Sequence, residues 1–197
     1  MYDEDLDSSY TTWLDEERMN NYEYRCDENL KTVEIGDEVT RICAEAFYCC
    51  SNLEWIDLPE SLIEIGSKAF GCCFSLSSIY IENVKIIEDS AFYYCDNLKE
   101  VDTNRFFPHL EILGDSVFEK CSMLKKITLP NSIKQIGNYV FKECGGEYGH
   151  FKLSFDGTME EFRKVNLAKN WNTGSTIEKI NFTDGDLYIR KPKKQYL

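Results

Sequence analysis

The sequence predicts an α/β repeat solenoid, a stack of coils sharing one parallel sheet of about six strands, with both ends capped. Three observations carry this. A unit of constant type, typified by Leu53 to Ser75 (LEWIDLPESLIEIGSKAFGCCFS), opens at Leu30, Leu53, Leu76, Leu98 and Leu124, at intervals of 23, 23, 22 and 26 residues. A single unit of that size cannot bury its own apolar face, so it must stack on its neighbours. Within each unit the opening apolar residues, such as Ile56 and Leu58, are two apart, which is strand spacing. Successive strands lie about twenty residues apart, so they run parallel; a tight hairpin needs only a few residues.

Taken in order, residues 1–29 carry no clear repeat, with ten acidic and two basic side chains. The stretch Tyr10 to Tyr22 has Trp13, Leu14 and Met19 after a capping Thr12, and reads as a short helix or irregular cap. Tyr24 to Cys26 reads as the tail of a degenerate coil, so this segment covers the first full repeat. Coils starting at 30, 53, 76, 98 and 124 then run to a final strand at 150–155. Their inward strand residues are Val33/Ile35, Ile56/Leu58, Ile79/Ile81, Val101/Thr103 and Ile127/Leu129. The alternate residues face outward: Thr32/Glu34, Trp55/Asp57, Ser78/Tyr80, Glu100/Asp102 and Lys126/Thr128, with Lys126 the lone base. The fourth coil is longer and places Phe106 and Phe107 where others read L-P-x-S, either folded over the core or projecting as an apolar knuckle. Residues 156–190 form a closing cap: Thr158 caps a helix bearing Met159, Phe162 and Val165, and Ile177–Phe182 with Leu187–Ile189 make a hairpin turning at Asp184-Gly185. Residues 191–197 are a basic tail.

The shared pattern, L-x-x-I-x-L-P-x-S-I-x-x-I-G-x-x-A-F-x-x-C, resembles the BspA-like class of leucine-rich repeats over Leu30 to Cys144. The segment Phe155-Asp-Gly-Thr158, Phe162, Trp171 and Asp184-Gly185 looks like the closing segment often seen after such repeats, with Phe155 in place of Tyr and Phe162 in place of Trp. The resemblance implies a right-handed solenoid used for binding, often at a microbial cell surface, with no catalytic residues. It also makes the open sheet face the first candidate site.

The net charge of −13 is uneven: −8 over 1–29, −7 over 30–144 and +2 over 145–197. This argues against phosphate-backbone binding by the repeats. No stretch of about 18 apolar residues occurs to span a bilayer. The acidic opening carries no leader, which points to the cytoplasm if Met1 is the natural start and to the surface or secretion if the chain was trimmed. Of nine cysteines, Cys50, Cys73, Cys95, Cys121 and Cys144 form one column that fills the turn as small apolar residues. Cys49 and Cys72 form a second column, bridgeable in an oxidising setting. No C-x-x-C pair, nucleophile elbow, P-loop or H-E-x-x-H occurs, so no enzyme, metal or cofactor is expected.

The expectation is a non-catalytic module that binds a protein or peptide through an acidic, aromatic-bearing face: Trp55 and Tyr80, rimmed by Glu34, Asp57, Glu100 and Asp102, with Phe106 and Phe107 beside it. Two alternatives are an inhibitor whose acidity mimics nucleic acid in a basic groove, and a fragment of a microbial surface adhesin.

Overall fold

Each coil of the chain meets its neighbours through three backbone ladders, of which the sequence reading foresaw one. The structure, a computed structural model, describes residues 10–14, 24–80, 83–101, 109–146 and 151–189. The first ladder is the expected parallel sheet. At its N-terminal end β1 (Tyr10–Leu14), β2 (Leu30–Ile35) and β4 (Trp55–Asp57) pair in parallel. At its C-terminal end β7 (Glu100–Val101), β9 (Lys126–Pro130), β11 (Lys152–Asp156) and β13 (Lys179–Phe182) do the same. Between them, among the described residues, the third coil contributes only a bridge at Ser78.

The segment Tyr10–Leu14 is therefore a strand, and the helix expected to begin there is wrong over those residues. β-branched Thr11 and Thr12 with Trp13 favour extended backbone, and the edge of β2 supplies the hydrogen-bonding partner. Residues 15–23 lie outside the described part, as do Ile81, Thr103 and the inserted Phe106 and Phe107.

The second ladder lies on the returning segment. Pairs of residues, β3 (Arg41–Ile42), β5 (Glu64–Ile65), β6 (Ile86–Ile87), β8 (Ile112–Leu113), β10 (Gln135–Ile136) and β12 (Asn166–Leu167), make a six-stranded parallel sheet. In each repeat pair the second residue points inward and is fully buried, as with Ile42, Ile65, Ile87, Leu113 and Ile136. The register passes evenly from β6 to β8, so the longer fourth coil absorbs its extra residues before Ile112 without shifting the stack.

The third ladder is made of turns. Alternate N–H groups of the A-F segment donate to the next coil, as in Glu45 to the Ser67 carbonyl, Phe47 to Ala69 and Cys49 to Gly71, each at 2.8 Å. This aim requires left-handed backbone at two non-glycine residues per coil. Glu45, Lys68, Ser90, Ser116 and Tyr139 occupy one such column, and Cys26, Cys49, Cys72, Tyr94, Lys120 and Glu143 the other, all with φ near +60°. Each costs about 1–2 kcal/mol for an L-residue, offset by the satisfied N–H. Glycine is needed for a different reason. A Cβ on Gly66 would lie 2.7 Å from the Ala44 nitrogen and the Ile42 oxygen of the preceding coil, so close approach and not φ selects it.

Between the ladders runs one continuous core. Phe47, Phe70, Phe92, Phe118 and Phe141 stack nearly parallel at 5.3 to 6.2 Å between ring centres. Tyr24 continues this stack at one end and Phe151 at the other. The column Cys50, Cys73, Cys95, Cys121 and Cys144 is buried beside it, and the thiols do more than fill space. Each donates to a main-chain carbonyl of the preceding coil: Cys50 to Tyr24, Cys73 to Phe47, Cys95 to Phe70, Cys121 to Phe92 and Cys144 to Phe118, at 2.8 to 3.2 Å. Among the described residues, which include every cysteine, there is no disulfide.

Among the described residues, helix is confined to α1 (Met159–Phe162). Thr158 caps it in a full capping box with Glu161, and Phe162 packs against Phe155, Trp171 and Phe182. The chain then enters β13 parallel to β11 and reverses into β14 (Gly185–Tyr188). Phe182 pairs with Gly185, so the turn residues are Thr183 and Asp184, one position earlier than expected.

Candidate binding surface

The strand alternation that buries Val33 and Ile56 turns their neighbours outward. Register places Thr32 beside Trp55 and Glu34 beside Asp57. Trp55 is 39 % exposed and Tyr80 53 % exposed, and Glu34 and Asp57 are exposed. Two carboxylates directly opposite on neighbouring strands repel, and this end of the face is acidic. Beside Asp57 a cleft of about 510 Å³ runs along Ile35, Asp37, Pro59, Glu60 and Ser61. Tyr80 follows the single bridge residue Ser78, so the regular sheet stops between the two aromatics.

Toward the C-terminal end the face changes sign, which corrects the expectation that Lys126 is its lone base. Glu100 is in register with Lys126, and Lys126 with Lys152. Both lysines are exposed. Farther on, Lys179 Nζ meets Asp186 at 2.9 Å and the Asn181 amide donates to the same carboxylate at 2.7 Å. Those two hydrogen bonds hold the Asp186 carboxyl below the usual carboxylate range. The expected final strand at 150–155 already turns Lys152 outward by alternation, whereas Lys179 reaches this face because β13 joins β11 in parallel, which periodicity does not show. Thr128, expected outward, is only 6 % exposed. The side chain of Glu100, and all of Asp102, Phe106 and Phe107, lie outside what the structure describes.

A second surface was not foreseen. On the turn side a groove of about 520 Å³ is lined by Tyr94, Asp96, Lys120, Ser122, Glu143 and Thr176. Lys120 Nζ lies 5.3 Å from the Tyr94 ring centre and 5.7 Å from that of Tyr93, and Phe74 meets Tyr94 edge-on at 5.4 Å. The Ser122 hydroxyl donates to Asp96. The signal was present in the columns flanking the buried cysteines, but exposed turn positions obey no periodicity that marks them. Among the described residues no three His, Cys, Asp or Glu side chains are placed to hold a metal ion, and no helix is long and apolar enough to cross a membrane.

Residues 17–148 match the family model of the BspA type leucine rich repeat region in six copies, one more than the five full repeats read from the sequence. Among solved structures, a leucine rich repeat protein of T. pallidum superposes with a TM-score of 0.60 at 22 % identity, covering 87 % of this chain and 66 % of that one. A leucine rich cell surface protein of Faecalibacterium prausnitzii gives 0.68 at 23 % identity, covering 92 % of this chain and 50 % of that one. The chain thus spans from half to just under two thirds of the length of these structures. No curated protein matches it.

Proposed function

The chain belongs to the BspA type leucine-rich repeat family, and from that premise we propose that it is a non-catalytic module that binds a protein or peptide across its open sheet face. The observation that supports this most directly is the pair Trp55 and Tyr80, 39 % and 53 % exposed on a face otherwise made of small and charged side chains. Large exposed aromatics with a polar rim have the composition of interface anchors. Glu34 and Asp57 form the acidic rim. Glu100, Asp102, Phe106 and Phe107 belong to this proposal on their sequence positions alone. Lys126 and Lys152 at the far end favour a partner of mixed charge, basic over coils one and two and acidic over the last coils. That polarity suits a polypeptide better than a uniform nucleic-acid mimic would.

In this reading residues 1–29 and 156–190 serve as end caps of the repeats. A second reading, that the chain is one section of a longer microbial surface protein, draws on its partial coverage of the similar structures and on the printed description of one as a cell surface protein. Reading the frame on either side of the coding region tests it.

The binding reading is tested by paired capture from the native host with wild type and Trp55→Ala/Tyr80→Ala, followed by affinity measurement on whatever distinguishes them. The double variant is expected to lose more than about 2 kcal/mol of binding with an unchanged circular dichroism spectrum. Equal affinity of the two proteins for every captured partner would place the interface elsewhere.

A further inference from the structure

One side-chain cluster lies outside the binding surface and has no role in it. The left-handed column just before the buried cysteines reads Tyr94, Lys120 and Glu143 in the later coils, but Cys26, Cys49 and Cys72 in the first three. Three thiols therefore stand in line along the solenoid axis. Main-chain bonds tie them coil to coil: Cys26 N–H donates to the Tyr48 carbonyl and Cys49 N–H to Gly71, both at 2.8 Å. Ladder spacing of about 4.8 Å falls inside the Cα separation of about 4.4–6.8 Å that a disulfide spans. The Cys49 thiol is the electrostatic neighbour of both Cys26 and Cys72. Exposure is graded along the line: Cys26 exposed, Cys49 half-buried, Cys72 9 % exposed. The neighbouring Cys72 and Cys49 push the Tyr48 phenol up to about 12, which keeps it protonated.

Thiol–disulfide exchange proceeds by in-line attack of a thiolate on one sulfur of a disulfide while the other sulfur leaves. One thiol per coil at the same column position places the three cysteines in the order such a sequence of attacks needs. We propose that Cys26, Cys49 and Cys72 form a thiol–disulfide relay that accepts oxidation from a small-molecule disulfide at Cys26 and moves the resulting bond inward to Cys49–Cys72.

The chemistry balances in three steps. The Cys26 thiolate attacks R–S–S–R, forming Cys26–S–S–R and releasing one thiolate, which takes up the proton Cys26 lost. Cys49 then attacks the Cys26 sulfur, forming the Cys26–Cys49 disulfide and releasing the second R–SH, so two protein thiols are oxidised and one R–S–S–R is reduced to two thiols. Cys72 attacks the Cys49 sulfur and expels Cys26 as a thiolate, with no net redox change. The bond ends at the less exposed pair, shielded from reductant, and Cys26 is restored. Partial desolvation, with Cys49 adding to it, raises the Cys26 thiol above its ordinary value; desolvation first and then Cys72 does the same to Cys49. The first two steps therefore quicken as pH rises.

The test uses the fully reduced chain and oxidised glutathione, with acid quench, alkylation and fragment-ion mapping of unreduced peptides. Wild type is expected to accumulate Cys49–Cys72, with Cys26 as free thiol or glutathione adduct. Cys72→Ser is expected to stop at Cys26–Cys49. Cys26→Ser, a change at an exposed site, is expected to form Cys49–Cys72 at least about tenfold more slowly, because the accessible entry thiol is gone. Formation of Cys49–Cys72 at the wild-type rate in Cys26→Ser overturns the relay. So does a wild-type reaction that ends at the Cys26 glutathione adduct with no internal bond.

Discussion

At the scale of single residues, the fold depends on columns in which one side chain repeats its neighbour's contact. Phe92 sits between Phe70 and Phe118 with ring planes within 7° of both and is fully buried. Phe92→Ala is expected to cost about 3–5 kcal/mol, read as a lower urea midpoint with both baselines intact. The A/V-F step made this column legible in the sequence. The role of the cysteines was legible only in part: a buried small residue could be read from the repeat, but its bond to a carbonyl in the preceding coil could not, because that partner lies 25 to 29 residues upstream. Burial holds the five column thiols above their ordinary range, with Cys50 at about 12. An aromatic disulfide reagent is therefore expected to leave Cys50, Cys73, Cys95, Cys121 and Cys144 untouched in the native chain and to titrate them only after denaturant is added. Rapid native reaction at any of the five would contradict the packing described.

At the scale of the element, successive coils are joined by cross-coil ion pairs on the turn side. Lys142 Nζ meets Glu119 at 2.7 Å, and Ser116 Oγ meets the other oxygen of the same carboxylate at 2.6 Å. Burial of Glu119 favours its neutral form, but the hydrogen bonds from Lys142 and Ser116 outweigh it and hold the carboxyl below its ordinary value. A depressed folded-state value means the stabilisation is present above the unfolded value, about pH 4 for a glutamate, and is lost as pH falls through the lower folded value. Glu119→Gln is accordingly expected to lower the melting temperature at pH 7 and to reduce its decline on acidification below about pH 4. Parallel melting curves for the two proteins at every pH would remove this pair from the stability of the turn ladder. Elements of this kind were the least legible part of the sequence. Strands of two residues, such as Glu64–Ile65, are too short for an alternation to show. The N-terminal strand was obscured because Trp13, Leu14 and Met19 mimic helical spacing, while the edge of β2 that decides the matter is not visible locally.

At the scale of the whole molecule, the stack is a one-dimensional object: each coil presents to the next the same edge it received from the one before. The open face was legible as a surface, since alternation places Trp55 and Glu34 outward, but its change of sign along the axis was legible only in part, because Lys179 depends on β13 joining the sheet in parallel. The hairpin of β13 and β14 acts on this translational order. Through β13 every strand of that sheet runs in one direction, and the first reversed strand is Gly185–Tyr188. A reversed strand cannot template another coil, because an incoming β1 equivalent would meet its hydrogen-bonding groups in the antiparallel pattern. Truncation after Phe182 should uncover the parallel edge of β13 and let molecules add end to end. Light scattering is expected to show concentration-dependent growth of the truncated chain and none of the chain that retains β14. In this sense the solenoid has a direction of growth, and four residues of opposite polarity terminate it.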